Sequence, residues 1–224
     1  MTVSIIIPTL NEAACIAETI RRLRGQSPRE IIVVDGGSSD GTQELAHDAD
    51  LLLAAPRGRA AQMNAGAANA AGEYLLFMHA DCALANGALA AVGRALSRRR
   101  VIAGCFSMRV QAEGRLFRFI DAAATARVRF TGIAYGDQGL FVRRADFEQL
   151  GGFPPLRFME DVFFSRLLRR HGRVVVVHER IAVSPRRWHK AGIVRQTLRN
   201  WGLTALALAG VSPDRLARHY PHVR

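Results

Sequence analysis

Two short β-branched runs, SIIIP (4–8) and EIIVVD (30–35), bracket a stretch in which Ile16, Ile20 and Leu23 recur at i, i+4 and i+7. The runs read as buried parallel strands and the stretch between them as a helix with one apolar stripe. Strands joined this closely form a βαβ unit, whose crossover is nearly always right-handed. Thr9 and Glu12 have capping-box spacing at the helix start, and Gly25 suits its end.

The pattern then repeats. Residues 42–47 read as a short helix, LLLA (51–54) as a short strand and the Ala-rich 59–71 as a helix stopped by Gly72. EYLLFM (73–78) follows as a strand and 86–97 as a helix, giving an open, doubly wound α/β sheet. After residue 100 the rhythm changes. VIAGCFSMRV (101–110) and GLFVRR (139–144) read as strands that pair outside the parallel order, with a helix at about 115–129 between them. EDVFFSRLLRRHG (160–172) is an amphipathic helix and RVVVVHE (173–179) a last strand. With no repeat or linker, 1–224 is expected to be one domain, with functional halves 1–100 and 101–224.

Composition narrows the setting. No apolar stretch reaches the roughly 18–20 residues of a membrane-spanning helix, and the start, MTVSIIIPTLNEA, lacks the basic region of a secretory signal. Three cysteines without CxxC spacing indicate neither a disulfide framework nor structural zinc, so a reducing cytoplasm is expected. The net charge of +12 lies wholly in residues 101–224, which carry twenty-one Lys plus Arg against nine acidic residues. Such a surface favours phosphates, nucleic acid or an anionic membrane, unless thirty Arg and one Lys are merely a solvated coding bias. Nucleic acid is not expected, since there is neither a recognition helix nor interleaved aromatics. The run LTALALAGV (203–211) is too short to span a bilayer. Its two readings are packing on the core and an interfacial helix in peripheral contact with the inner face of a membrane.

In an open α/β sheet, ligands bind beyond the carboxyl ends of the strands. Three such ends are polar here: Pro8-Thr9-Leu10-Asn11-Glu12, Asp35-Gly36-Gly37-Ser38-Ser39-Asp40-Gly41-Thr42, and His79-Ala80-Asp81. Alone, the second is a glycine-rich turn. Directly after a strand, its Asp35 can accept hydrogen bonds from a ribose or base, and Gly36 lets a ligand approach the backbone. Neither GxGxxG nor GxxxxGK[ST] occurs, which argues against a dinucleotide fold and a P-loop.

IIIPTLNEA, IIVVDGGSSDGT, GRAAQMNAGAANAAGEYLLFMHADC and GDQGLFVRR…GGFPPLRFMEDVFFSRLLRRHG, in this order, resemble family-2 glycosyltransferases of the GT-A fold, over about residues 3–180. The resemblance is strongest to small bacterial members with His-Ala-Asp in place of Asp-x-Asp. It implies a Rossmann-like, doubly wound, mostly parallel sheet with a mixed-sheet acceptor half. It further implies an inverting transferase that moves a sugar from a nucleotide-diphosphate sugar, UDP favoured, to a small-molecule, glycan or lipid-linked acceptor. Pro8, Thr9, Asn11, Glu12, Asp35, Gly36 and Arg59 fall where the family holds the nucleotide. His79 and Asp81 fall at the diphosphate, with Asp81 on a divalent metal, Mg²⁺ or Mn²⁺. Asp137 and Gln138 fall near donor sugar and acceptor. Arg186-Arg187-Trp188-His189 resembles the basic loop that closes over the diphosphate, with Arg187 and Trp188 on the ligand and His189 a candidate second metal ligand. Glu160-Asp161 occupies the Glu-Asp position, whose aspartate is the catalytic base.

The chemistry is consistent with those roles. A leaving diphosphate gathers negative charge that a hard cation neutralises, and an attacking hydroxyl needs a carboxylate to take its proton. Asp161 falls in the first turn of its helix, where the positive dipole end favours an anion. Two other readings stand beside this one: a polyprenyl-phosphate glycosyltransferase at the membrane surface, and a non-catalytic sugar-nucleotide binder.

Overall fold

The computed structural model describes residues 1–218. Eight strands, β1 (Val3–Thr9), β2 (Glu30–Asp35), β3 (Leu51–Ala54), β4 (Tyr74–Phe77), β5 (Cys82–Leu84), β6 (Val101–Val110), β7 (Leu140–Arg143) and β8 (Arg173–Val183), form one sheet. Their order is β3-β2-β1-β4-β7-β6-β8-β5. The four strands from β3 to β4 are parallel; β7 is antiparallel to both β4 and β6, β8 is parallel to β6, and β5 is antiparallel to β8. The sheet is therefore mixed in its second half, as an α/β fold of the expected type requires.

The continuous apolar runs of β1 and β2 reflect burial on both faces. Ile5 and Ile7 join the core beneath α1 (Ile16–Arg24), while Ile6, between them, joins the opposite core. The short α2 (Thr42–Leu45) follows β2, and α3 (Arg59–Ala68) follows β3. A Cβ on Gly66 would stand 2.5 Å from Ile6, so the small residues of α3 let it lie close on the sheet. That placement carries Arg59, at the start of α3, to the strand ends.

The Thr9–Glu12 capping box does not form. Cys15 is the N-cap of α1 without any side-chain cap, the Glu12 carbonyl accepts the Cys15 and Ile16 N–H groups, and the Thr9 hydroxyl turns to Asp35. The reason is that β1 runs on to Thr9, which leaves no room for a cap there. The three-residue β5, invisible to period counting, turns the chain back directly after Asp81.

Of the later helices, α4 (Ala88–Leu96) packs in the core of α1, the short α6 (Arg144–Gln149) and α7 (Glu160–His171) pack in that of α3, and α5 (Arg115–Thr131) reaches both. Four helices were not anticipated: the short α6, α8 (Arg186–Ala191), where a loop was expected, most of α9 (Ile193–Leu208), and α10 (Pro213–Ala217). Leu203 and Ala207 of α9 pack with Leu216 of α10 on Ile133, Met159 and Val162, a third small core. No helix among the described residues is long and apolar enough to cross a membrane.

Candidate active site

The ends of β1 and β2 are laced together. Asp35 is buried, and its Oδ1 accepts hydrogen bonds from the hydroxyls of Thr9 (3.2 Å) and Ser38 (2.5 Å). Its Oδ2 accepts from the N–H of Gly37 and Ser38 and from the Gln43 amide. Burial alone would raise this carboxyl; the bonds from Ser38, Gln43 and Gly37 override it and hold it below the usual range. Five donors saturate one carboxylate, so a ribose or base reaches Asp35 only by displacing one of them. Gly36 is equally engaged: its N–H bonds the Thr9 carbonyl, and the buried Gln62 amide, which bridges the Thr9 and Val34 carbonyls, lies where its side chain would be. Asn11, at φ 55°, clamps the same loop, its N–H on Ser38 Oγ and its Oδ1 on the Ser39 N–H.

Beyond β4, His79-Ala80-Asp81 lines the corner before β5. Asp81 Oδ2 and the buried Glu12 Oε2 both face Arg186 Nη2, at 3.0 and 3.3 Å. Burial opposes the charge on Arg186, but Asp81 and Glu12 outweigh it and hold the guanidinium protonated. Arg186 is half-exposed, so this bridge is a weak, breakable one.

Two clefts meet at this corner. The smaller, about 290 Å³, is lined by Pro8, Thr9, Glu12, Gln62, Arg59 and His79. The larger, about 530 Å³, is lined by Arg59, His79, Gly136, Asp137, Asp161 and Arg187, with α9 supplying Asn200 and Thr204. Arg59 and His79 belong to both. Asp161 Oδ2 accepts the Gly136 N–H at 2.6 Å, and its Oδ1 accepts the Val162 N–H at 2.7 Å. A Cβ on Gly136 would stand 2.9 Å from His79 Nε2 and 3.4 Å from Asp161 Oδ2, so only glycine lets imidazole and carboxylate share this corner undisturbed. Met159, just before α7, adopts a left-handed φ of 63°, an uncommon conformation for a non-glycine residue, and this turn delivers Glu160 and Asp161.

Two carboxyls here are perturbed. Burial, reinforced by Asp161, pushes the Glu160 carboxyl up to about 7 against the opposing charge of Arg59. Burial also raises Asp137, although Arg127 and Arg187 pull the other way, and Asp137 Oδ1 lacks a hydrogen-bond partner among the described residues. A cleft that gathers two carboxylates, a histidine and two arginines at strand ends suits an anionic ligand and proton transfer.

Residues 4–151 match the sequence family described as Glycosyl transferase family 2. The chain belongs to that family. Among relatives of this family-2 chain is the glycosyltransferase AglE of Haloferax volcanii, 35% identical over 92 residues, 36% of this chain and 30% of the relative. The structure is similar to that of mannosyltransferase PcManGT from Pyrobaculum calidifontis in complex with GDP-Man and Mn²⁺. That match has a TM-score of 0.68 and 25% identity, and covers 94% of this chain and 65% of the other. S. aureus TarS in complex with UDP-GlcNAc shares the fold, with a TM-score of 0.65 and 20% identity over 82% of this chain and 58% of TarS. The family-2 chain thus spans less than two thirds of each of these proteins.

Not every expected site residue reaches the clefts. Gln138 is fully buried, its Oε1 taken by the Arg127 guanidinium and the Tyr135 N–H, so it braces the site from behind rather than lining it. Trp188 is buried on α8 edge-on to Phe117, its indole N–H on Thr197 Oγ1, and faces protein instead of a ligand. His189 is exposed, its ring 6.0 Å from that of Phe117. Among the described residues no group of three or more His, Cys, Asp and Glu converges as a metal site. The apolar content of α8 docks it on α5, which turns the basic segment from a free loop into a packed helix.

Several contributors were missed. Arg186, beside the expected Arg187, is the residue that meets Asp81 and Glu12. Arg127 lies 3.3 Å over the Tyr135 ring, and Tyr135 Oη meets Thr204 Oγ1 at 2.6 Å, a wall built from three distant segments. Only the placement of basic and polar residues in helices 115–129 and 193–208 hinted at them. Cys82 is buried and its thiol pushed well above the ordinary range by burial, in keeping with an inert core residue.

Proposed function

We propose that this chain is an inverting glycosyltransferase that uses a nucleotide-diphosphate sugar, with Asp161 as the base that deprotonates the acceptor. The observation that carries the reading is the junction of the two clefts. Arg59 and His79 stand where they meet, and Asp161 faces them across Gly136. The nucleotide takes the smaller cleft beside Pro8, Thr9 and Glu12, the diphosphate meets Arg59, His79 and Arg187, and donor sugar and acceptor occupy the larger cleft.

The acceptor hydroxyl gives its proton to Asp161 as its oxygen attacks the anomeric carbon, and the bond to the diphosphate breaks on the opposite side. One displacement inverts the centre. Asp161 is pre-oriented for this: the Gly136 and Val162 N–H groups fix both its oxygens while leaving each a lone pair. Asp137, half-buried on the wall of the larger cleft, offers its carboxylate to a sugar hydroxyl. Glu160, held partly protonated beside Asp161, positions it instead of competing for the same proton.

A divalent ion fits one residue, Asp81, a hard oxygen ligand of the kind Mg²⁺ or Mn²⁺ takes singly when phosphates supply the other oxygens. Arg186 must release Asp81 for this, and its weak, half-exposed bridge permits it. When bound, such an ion neutralises charge on the departing diphosphate. The Mn²⁺ and GDP-Man of the Pyrobaculum relative support a metal and a diphosphate donor. The UDP-GlcNAc of TarS keeps UDP, the reading drawn from sequence, alongside GDP. Incubating the purified chain with UDP- and GDP-sugars and Mn²⁺ tests the proposal: slow release of UDP or GDP supports it, and its absence with every donor counts against catalysis.

A further inference from the structure

Helix α9 is apolar on more than the face it buries. Its inward face is mixed, with Leu203 and Ala207 buried beside Gln196, Thr197 and Thr204. Its outward face carries Val194, Leu198, Trp201, Ala205 and Leu208, at i, i+4, i+7, i+11 and i+14, and all five are exposed. Leu198 is 60% exposed. Soluble helices point such a stripe at the core.

A second stripe lies beside it. On α5, Leu116, Phe119 and Phe130 project outward, Phe119 at 60% and Phe130 at 83% exposure. Phe119 and Trp201 meet with ring centroids 6.3 Å apart, so the two stripes form one face. At its end, where Thr131 of α5 and Leu208 of α9 approach each other, a recess of about 690 Å³ is lined by Arg166, Arg169 and Arg170. Arg166 and Arg170 are exposed and make no ion pair with any described residue. Contiguous exposed apolar surface of this kind marks an interaction site.

We propose that the α5–α9 face seats the protein on an anionic membrane surface. Phe119, Leu198 and Trp201 enter the acyl boundary, and the arginine recess meets lipid phosphates. Charge decides the occupant. A phosphate-bearing bilayer complements both the apolar stripes and the cations at their end, whereas closing the stripes on a second copy would account for the apolar surface alone. No spanning segment is needed, because the helices lie in the interface. Since Asn200 and Thr204 on the inner side of α9 line the larger cleft, docking also holds that cleft near the bilayer. The consequence, a lipid-linked acceptor, rests on the transfer reading. Vesicle binding is therefore measured without any donor, so that failure of one leaves the other standing.

The test is sedimentation of the full chain with phosphatidylcholine vesicles, with and without phosphatidylglycerol, at low salt. The wild-type chain also reports on itself, because Trp188 is buried and Trp201 exposed: bromine-labelled lipid should quench and blue-shift the emission. Expected are binding only with phosphatidylglycerol, a loss of more than about tenfold in Phe119→Ser/Leu198→Ser, and about fivefold or more for each of Arg166→Glu and Arg170→Glu. All should keep the wild-type circular dichroism. Absence of quenching in the wild-type protein, or equal binding to neutral vesicles, overturns the proposal. So does a dimer in sedimentation equilibrium that Phe119→Ser/Leu198→Ser disperses, which would assign the face to a second copy.

Discussion

Gly136→Ala isolates the geometry of the cleft from the stability of the fold. Gly136 sits in a tight 3₁₀ turn, Gly136–Gln138, without a positive φ, so its backbone accepts alanine. The added methyl would stand 2.9 Å from His79 Nε2, where an ordinary contact is about 3.5 Å, so the imidazole must retreat by about 0.6 Å. The displaced atom is the tip of a side chain, and the fold should lose less than about 1 kcal/mol. Misplacing a catalytic group by an ångström costs about a hundredfold in rate, so a shift of this size should lower turnover by about tenfold. Steady-state rates of UDP or GDP release, read beside a thermal melt, check this. Turnover within about twofold of wild type would show that the His79–Asp161 corner is not where the chemistry occurs.

Three other perturbations separate the roles. Glu160→Gln removes a carboxyl whose folded pKa, about 7, lies above its ordinary 4.5. The fold favours the protonated form, so this residue's contribution falls as pH rises from about 4.5 to about 7. Glu160→Gln should therefore exceed wild type above pH 7 by roughly 3 kcal/mol, or about 10 °C in melting temperature, and match it near pH 4.5. A pH-independent difference would contradict that. EDTA should weaken nucleotide binding to wild type by about tenfold in calorimetry but leave Asp81→Ala, already weakened, unchanged; equal sensitivity in both would remove Asp81 as the metal's residue. Trp188→Ala should cost about 3–4 kcal/mol in urea unfolding while nucleotide affinity in the still-folded protein stays within about threefold, and a selective loss of affinity would return Trp188 to the ligand.

The strands and helices of the first hundred residues were legible because both signals are local. β-branched runs fix β1 and β2, and the i, i+4, i+7 spacing of Ile16, Ile20 and Leu23 fixes α1. The strand-end loops were legible as well, since topology alone places Pro8, Asp35 and His79 at one sheet edge. What failed was long-range. β5 is three residues long and exists because β8 pairs with it, as Ala83 with Ala182. Helix α8 forms because Trp188 has Phe117 to pack on, a contact across seventy residues that no window contains. Arg186 was passed over for Arg187 because which of two adjacent arginines faces Asp81 depends on that helix's rotation. In α9 only the run 203–211 was noted, and its two readings stayed open. Which residues of a helix apolar on more than one face turn inward cannot be told until the packing is known.

The central claim, that Asp161 takes the acceptor's proton, is tested most directly by Asp161→Asn. The amide is nearly the same shape, and its oxygen can keep the Gly136 or the Val162 N–H bond, so the site should still form. In single-turnover assays the rate of sugar transfer should fall by about a thousandfold or more, while calorimetric nucleotide affinity stays within about threefold. A transfer rate within tenfold of wild type at unchanged affinity would contradict it and pass the proton to another carboxylate of the cleft.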